Sequence, residues 1–219
     1  MTPSKVVAIG RNYAAHAAEL GNDVPERPLI FLKAPSSIVG PGESILLPPD
    51  SGRVEHEAEL AVVIGRRCRH VHPRDALSYV AGYTVLNDVT ARDLQRADGQ
   101  FARAKGFDTF CPIGPWVETS LDPSNLRVWC TVRRAGGEPE QRQDGRTPQM
   151  VFDVPTLVAA VSRVMSLEPG DVIATGTPEG VGLLRDGDEV VVGVDGIGAL
   201  RNPVFCDLDA PEIQPPVGA

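Results

Sequence analysis

Val54-Glu55-His56-Glu57-Ala58-Glu59-Leu60-Ala61-Val62-Val63-Ile64-Gly65 decides how this chain is read, because two glutamates, Glu57 and Glu59, stand two apart in an apolar segment. A strand turns successive side chains to opposite faces, so residues two apart project together, roughly 6.5 Å from one another. Glu57 and Glu59 therefore face the same space. The flanking Leu60 to Ile64 argue that the strand is buried. Burying ionised carboxylates without a partner costs several kcal/mol or more, and a divalent cation is the simplest compensation. Asp88, near the end of a second apolar segment from Ala81 to Val89, supplies a third acid at a strand end. An all-carboxylate oxygen set suits magnesium, manganese or calcium and disfavours zinc and copper. His56 points to the opposite face of a regular strand and is read as packed or hydrogen-bonded, not as a ligand.

The remaining composition sets bounds. The chain has 219 residues and 42% hydrophobic content, enough core for one large domain, expected over residues 1–208. A formal charge of −8 repels phosphate backbones and anionic membranes, and no basic patch offsets it, so small-molecule chemistry is favoured over nucleic-acid or membrane binding. No apolar run reaches the ~18 residues of a spanning helix, and the N-terminal apolar stretch is too short for a secretory signal. A soluble, cytoplasmic protein is expected. Cys68, Cys111, Cys130 and Cys206 are widely spaced without a CxxC pair, as reduced buried cysteines are. Of the 21 basic residues only Lys5, Lys33 and Lys105 are lysine, which marks Lys33 and Lys105 as positions where a compact ammonium is needed; Lys5 reads as incidental.

Strand-like runs occur at Val6–Ile9, Leu29–Lys33, Ser44–Leu47, Val54–Ile64, Gly82–Asn87, Leu126–Val132, Val172–Thr175 and Glu189–Val194. The best helix starts at the N-cap Asp153, with Pro155 in the first turn and Leu157, Val161, Val164 and Met165 at helical spacing. Shorter helices are expected at Asn12–Leu20, Pro73–Tyr79 and Thr90–Ala97, the last capped by Asp88 or Thr90. The balance is α+β and predominantly β, a mixed or antiparallel sheet assembly with short peripheral helices and not a doubly wound fold. Asp209 to Ala219 is a Pro-rich tail.

His16 and Glu19, three apart, share a helical face, so the carboxylate can fix the imidazole tautomer and make the pair a base for water. Gly21 to Pro28, which follows, suits a moving lid. Thr175 to Gly182 offers hydroxyls and glycine amides but lacks the lysine of a phosphate loop. Arg92 and Gln95 share a helical face one turn past Asp88, which would set a cation and an amide beside the metal.

The order GRNYAAH (10–16), FLK (31–33), HEAEL (56–60), NDVTARDLQ (87–95), KGFDTFCP (105–112) and TGTPEGVG (175–182) resembles the fumarylacetoacetate hydrolase superfamily over nearly the whole chain. The resemblance implies a mixed β-sandwich roll of the type of that family's C-terminal domain, usually a homodimer. It implies magnesium or manganese on Glu57, Glu59 and Asp88, with calcium as a non-native occupant. It also implies a lid carrying His16 and Glu19, and a pocket lined by Lys105, Gln95, Arg92, Lys33, Arg11 and Thr177. Fumarylacetoacetases proper carry an additional N-terminal domain, so the chain looks more like the short branch of acylpyruvases, oxaloacetate decarboxylases and isomerases or decarboxylases of homoprotocatechuate breakdown.

A common chemistry follows for a small 2-oxo acid substrate. The metal would stabilise an enolate forming at C3, and Lys105 would neutralise its charge. In an acylpyruvate hydrolase the His16–Glu19 pair would activate water against C4 and break the C3–C4 bond. A decarboxylase would release the C4 carboxylate as carbon dioxide, and an isomerase would reprotonate the same enolate elsewhere. The non-enzymatic alternative is a metal-stabilised interaction domain.

Overall fold

Strands dominate the described residues, 3–209 of this computed structural model, and fifteen of them form three sheets. The largest runs in the order β2 (Leu29–Lys33), β1 (Val6–Gly10), β12 (Val172–Ala174), β6 (Ala58–Ile64), β7 (Val80–Asn87), β9 (Cys111–Glu118) and β3 (Ile38–Val39). A five-stranded sheet contains β11 (Pro139–Arg146), β10 (Arg127–Arg133), β14 (Glu189–Val194), β15 (Gly198–Cys206) and β4 (Ile45–Leu47). A small sheet joins β13 (Gly182–Leu183), β5 (Val54–His56) and β8 (Thr90–Ala91). β1 with β12, β15 with β4 and β3 with β9 are parallel and the other pairs antiparallel, so the assembly is mixed. Four short helices lie around it: α1 (Ala14–Glu19), α2 (Arg92–Asp98), α3 (Ala102–Gly106) and α4 (Val154–Val164). None is long and apolar enough to cross a membrane.

The period-2 pattern of β6 sorts its side chains between two environments. Leu60 and Val62 enter the space between the two larger sheets, where they join Val85, Val128, Cys130 and Val192, and β14 crosses β6 and β7 there. Ala61 faces the other way, into a smaller cluster with Ala8, Leu86, Cys111 and Ala174. Glu59 lies two residues before Ala61 and shares its face. The rest of the fold is held by local devices. Asp153 caps α4 as expected, its carboxylate accepting the Thr156 N–H at 2.9 Å.

Residues 54–64 do not form one strand. β6 pairs with β7 as far as Ala58 opposite Asn87, while β5 pairs with β8 with Glu55 opposite Thr90. Both chains thus leave the large sheet for the small one at the same level, and Glu57 and Asp88 fall in the step between them. The Asp88 N–H donates to the Glu57 carbonyl at 2.9 Å, and the Glu57 N–H donates to Asn87 Oδ1 at 2.9 Å. Two acids thereby sit side by side on backbone that follows neither sheet.

Other expectations change as well. Asp88 and Thr90 do not cap the following helix: residues 90–91 are the strand β8, α2 starts at Arg92 from an N-cap, Ala91, with no side-chain cap bond, and the Thr90 hydroxyl donates to the Asp88 carbonyl. Pro73–Tyr79 is 3-10 helix. Lys5 is not incidental, for its ammonium pairs with the buried Asp171 and joins the start of β1 to the start of β12. Cys68, Cys111 and Cys130 are buried, but Cys206 is exposed at the end of β15. Apart from Asp209, the Pro-rich tail lies outside the described residues.

Candidate active site

Glu57, Glu59 and Asp88 each place a carboxylate oxygen within 4.8 Å of the others, and all three are buried. Cations meet them from three directions. The Lys105 ammonium, on α3, donates to Glu57 Oε2 at 2.8 Å, Asp88 Oδ2 at 2.7 Å and Thr90 Oγ1 at 2.8 Å. Lys33, at the end of β2, donates to Asp88 Oδ1 at 2.6 Å and to the Lys105 carbonyl at 2.7 Å. Arg92 donates through Nη2 to Glu57 Oε1 at 2.6 Å, through Nε to Glu55 Oε2 at 2.8 Å and through Nη1 to Gln95 Oε1 at 2.6 Å. Both lysines singled out by composition are within 4% of full burial, where the ammonium can persist only with partners of this kind.

Glu59 is treated differently. It accepts one hydrogen bond, from the Gly176 N–H to Oε2 at 2.8 Å, and no cation touches it among the described residues. Gly176 has φ +96, and a Cβ there would come within 2.7 Å of the Asn12 Cβ, so a larger residue could not present this N–H. Burial, and then the neighbouring Asp88 and Glu57, push the Glu59 carboxyl well above the usual range. Burial acts on Glu57 in the same sense, but Lys105 and Arg92 outweigh it and hold that carboxyl below its ordinary value. A further cation beside Glu59 would complete the neutralisation. The three oxygen donors fit magnesium or manganese, and Glu57, Glu59 and Asp88 would hold it.

One cavity of about 250 Å³ opens onto these acids, walled by Ile9, Phe31 and Phe101 and reached by His16, Arg11, Arg92, Gln95, Arg96, Lys105 and Thr177. His16 is 5% exposed, and its Nδ1 lies 3.3 Å from Glu19 Oε2. Glu19 also accepts the Gly180 N–H, at 3.0 and 3.2 Å to its two oxygens. This leaves His16 Nε2 as the ring nitrogen not engaged by Glu19, on a residue that lines the cavity. The loop from Gly21 to Pro28 follows α1, and its Asn22 also lines the cavity.

Nine of the eleven residues expected in the site line this cavity, while Glu19 and Lys33 stand behind it, on His16 and on Asp88, and not all are free to act as expected. Every proton of the Lys105 ammonium is taken by protein, so this lysine supplies charge and holds two acids without donating to a ligand. Thr177 donates its hydroxyl proton to the Ala58 carbonyl at 2.8 Å. Arg92 is engaged by Glu55, Glu57 and Gln95. Arg11 and Arg96 pair with no carboxylate among the described residues. His56 lies away from the acids with Nδ1 on Gln143 Oε1 at 3.0 Å, as its place in the pleat predicts. Sequence reasoning passed over Glu55, although it continues the alternation of Glu57 and Glu59, and passed over Gln143, Asn87 and Phe101, which carry no local signal.

The fumarylacetoacetate (FAA) hydrolase C-terminal family model matches residues 5–205, and the chain belongs to that family. A solved structure of 5-carboxymethyl-2-hydroxymuconate delta-isomerase from Mycobacterium smegmatis is 53% identical, with a TM-score of 0.87, over 94% of this chain and 80% of that one. A 2-hydroxyhepta-2,4-diene-1,7-dioate isomerase from Mycobacterium marinum is 46% identical with a TM-score of 0.86, over 95% and 77%. The mitochondrial oxaloacetate tautomerase Fahd2a of Rattus norvegicus is 46% identical across 92% of this chain and 66% of its own length. The relatives named are enzymes, and the sheet assembly here is of their type.

Proposed function

We propose that this protein is a divalent-metal-dependent hydrolase that cleaves the C3–C4 bond of acylpyruvate-type 2,4-dioxo acids by way of the enolate. The observation that carries this reading is the convergence of Glu57, Glu59 and Asp88 with a carboxylate-oriented imidazole, His16, on one small cavity. Bound magnesium or manganese would supply Lewis-acid chemistry at the 2-oxo acid end. Glu19 keeps the proton on His16 Nδ1, so Nε2 can take one from water directed at the C4 carbonyl. Phe31 and Phe101 keep bulk water from the acyl chain. Lys105 and Arg92 hold Glu57 ionised, and Lys105 and Lys33 hold the Asp88 carboxylate in place by direct ion pairs. A cavity of about 250 Å³ is near the lower bound for ligand sites and suits a small acid.

A second reading, isomerase, tautomerase or decarboxylase action on a 2-oxo diacid, is favoured by the names of the relatives and by Arg11 and Arg96, two arginines at the cavity without a carboxylate partner among the described residues. A homodimer in the cytoplasm belongs to either reading. Chelated enzyme with magnesium or manganese added back, assayed on acetylpyruvate, fumarylpyruvate, oxaloacetate and a hydroxy-dienedioate, separates them. Pyruvate release from the dioxo acids supports hydrolysis. Turnover confined to the diacids without C3–C4 cleavage of a dioxo acid would transfer the assignment to the second reading.

A further inference from the structure

The strand β11 is polar and mostly exposed, yet its Gln143 is fully buried and uses every hydrogen-bonding position of its amide. Oε1 accepts from the Ala58 N–H at 3.0 Å and lies 3.0 Å from His56 Nδ1. Nε2 donates to Thr177 Oγ1 and to the Pro178 carbonyl, both at 2.7 Å. The amide can take no other orientation, since the Ala58 N–H can only donate and the Pro178 carbonyl can only accept. His56 must then carry its proton on Nδ1.

His56 and Ala58 are the two neighbours of Glu57, so a single side chain grips the chain on either side of the residue that steps out between the sheets. The same amide grips Thr177, which follows the glycine that binds Glu59 and whose hydroxyl returns to the Ala58 carbonyl at 2.8 Å. We infer that Gln143 is a positioning residue that fixes the separation of the Glu57 and Glu59 carboxylates and couples them to the Thr175–Pro178 loop. The inference rests on the metal reading of those acids. It adds a residue from a different sheet, remote in sequence, that no carboxylate pattern would reveal.

The test is manganese affinity, read from the electron paramagnetic resonance of free Mn2+, in wild type, in Gln143→Met, and in Leu157→Ala, a core variant in α4 that lowers the melting temperature without touching the site. Outer partners of metal ligands typically change affinity about 10–100-fold. Gln143→Met is expected to weaken Mn2+ by at least about tenfold, while Leu157→Ala stays within about threefold of wild type. Wild-type affinity in folded Gln143→Met overturns the inference, and so does an equal loss in Leu157→Ala, which would make the effect one of general stability. If Gln143→Met does not fold, Gln143→Glu replaces it. That variant keeps the acceptor for Ala58 and His56, loses both donors to the loop, and is expected to keep Mn2+ affinity within about threefold while the KM for the 2-oxo acid rises; an unchanged KM overturns the coupling to the loop. A wild type that binds no Mn2+ would refute the metal reading itself, an outcome separate from these.

Discussion

Glu59, a buried carboxylate with one N–H donor and two acids for neighbours, carries the sharpest single-residue expectation. Glu59→Gln removes an anionic oxygen while keeping the shape, and should abolish measurable Mn2+ or Mg2+ binding by calorimetry. Wild-type affinity in that variant would refute the ligand assignment. His16→Ala should remove acylpyruvate cleavage by about 10²–10⁴-fold, the usual worth of a positioned base, and leave oxaloacetate decarboxylation largely intact. Equal loss of both activities would mean that His16 serves a step they share. The acids were legible because a strand's period is two and their spacing is two. Lys33 and Lys105 were legible because arginine fills nearly every other cationic position. Gln143 was not legible, since its partners lie 34, 35, 85 and 87 residues away and a buried glutamine in a polar strand looks like any other. The commitment of the Lys105 protons to protein was equally hidden, because it depends on Thr90 and Asp88 arriving together from a strand that changes sheet.

Among the elements, those written as unbroken apolar runs were readable, and those interrupted by proline, glycine or polar residues were not. β1, β2 and β14 match apolar runs almost residue for residue. β9 was masked by Pro112, Gly114 and Pro115, which demote a segment as a strand; β11 is too polar to show a buried face; β15 buries only Leu200, Asn202 and Val204 behind Arg201 and Pro203. Asp153→Ala should cost α4 about 1 kcal/mol and lower the melting temperature by about 2–4 °C, measured by calorimetry. Asp171, just before β12, accepts from Ser4 Oγ at 2.6 Å, from the Glu168 N–H at 2.8 Å and from Lys5. Burial opposes its charge, but the Glu168 N–H, Lys5 and Ser4 outweigh it and hold the carboxyl below its ordinary value. The stabilisation is therefore present above the usual carboxylate range and is lost as pH falls through the lowered value. Asp171→Asn should lower the urea midpoint at pH 7, and the gap to wild type should narrow toward pH 3; a gap that persists there would contradict the ionic account.

For the molecule as a whole, removal of the metal separates an enzyme from a metal-stabilised interaction domain. A ligand at about 100 times its Kd adds roughly 2.7 kcal/mol, so chelation of loaded protein should lower the melting temperature by about 5–10 °C and leave the circular dichroism spectrum unchanged. Collapse of the spectrum on chelation, with no 2-oxo acid ever turned over, would favour the interaction domain. The basis for this expectation is the group of three cations that reach Glu55, Glu57 and Asp88 from β2, α2 and α3. Because the polypeptide brings its own counter-ions into the interior, the ribosome's product can reach its final shape before any ion arrives. On the proposed metal reading, loading would then be a late and reversible event on a finished scaffold, and one divalent ion could replace another as their supply changes without any refolding.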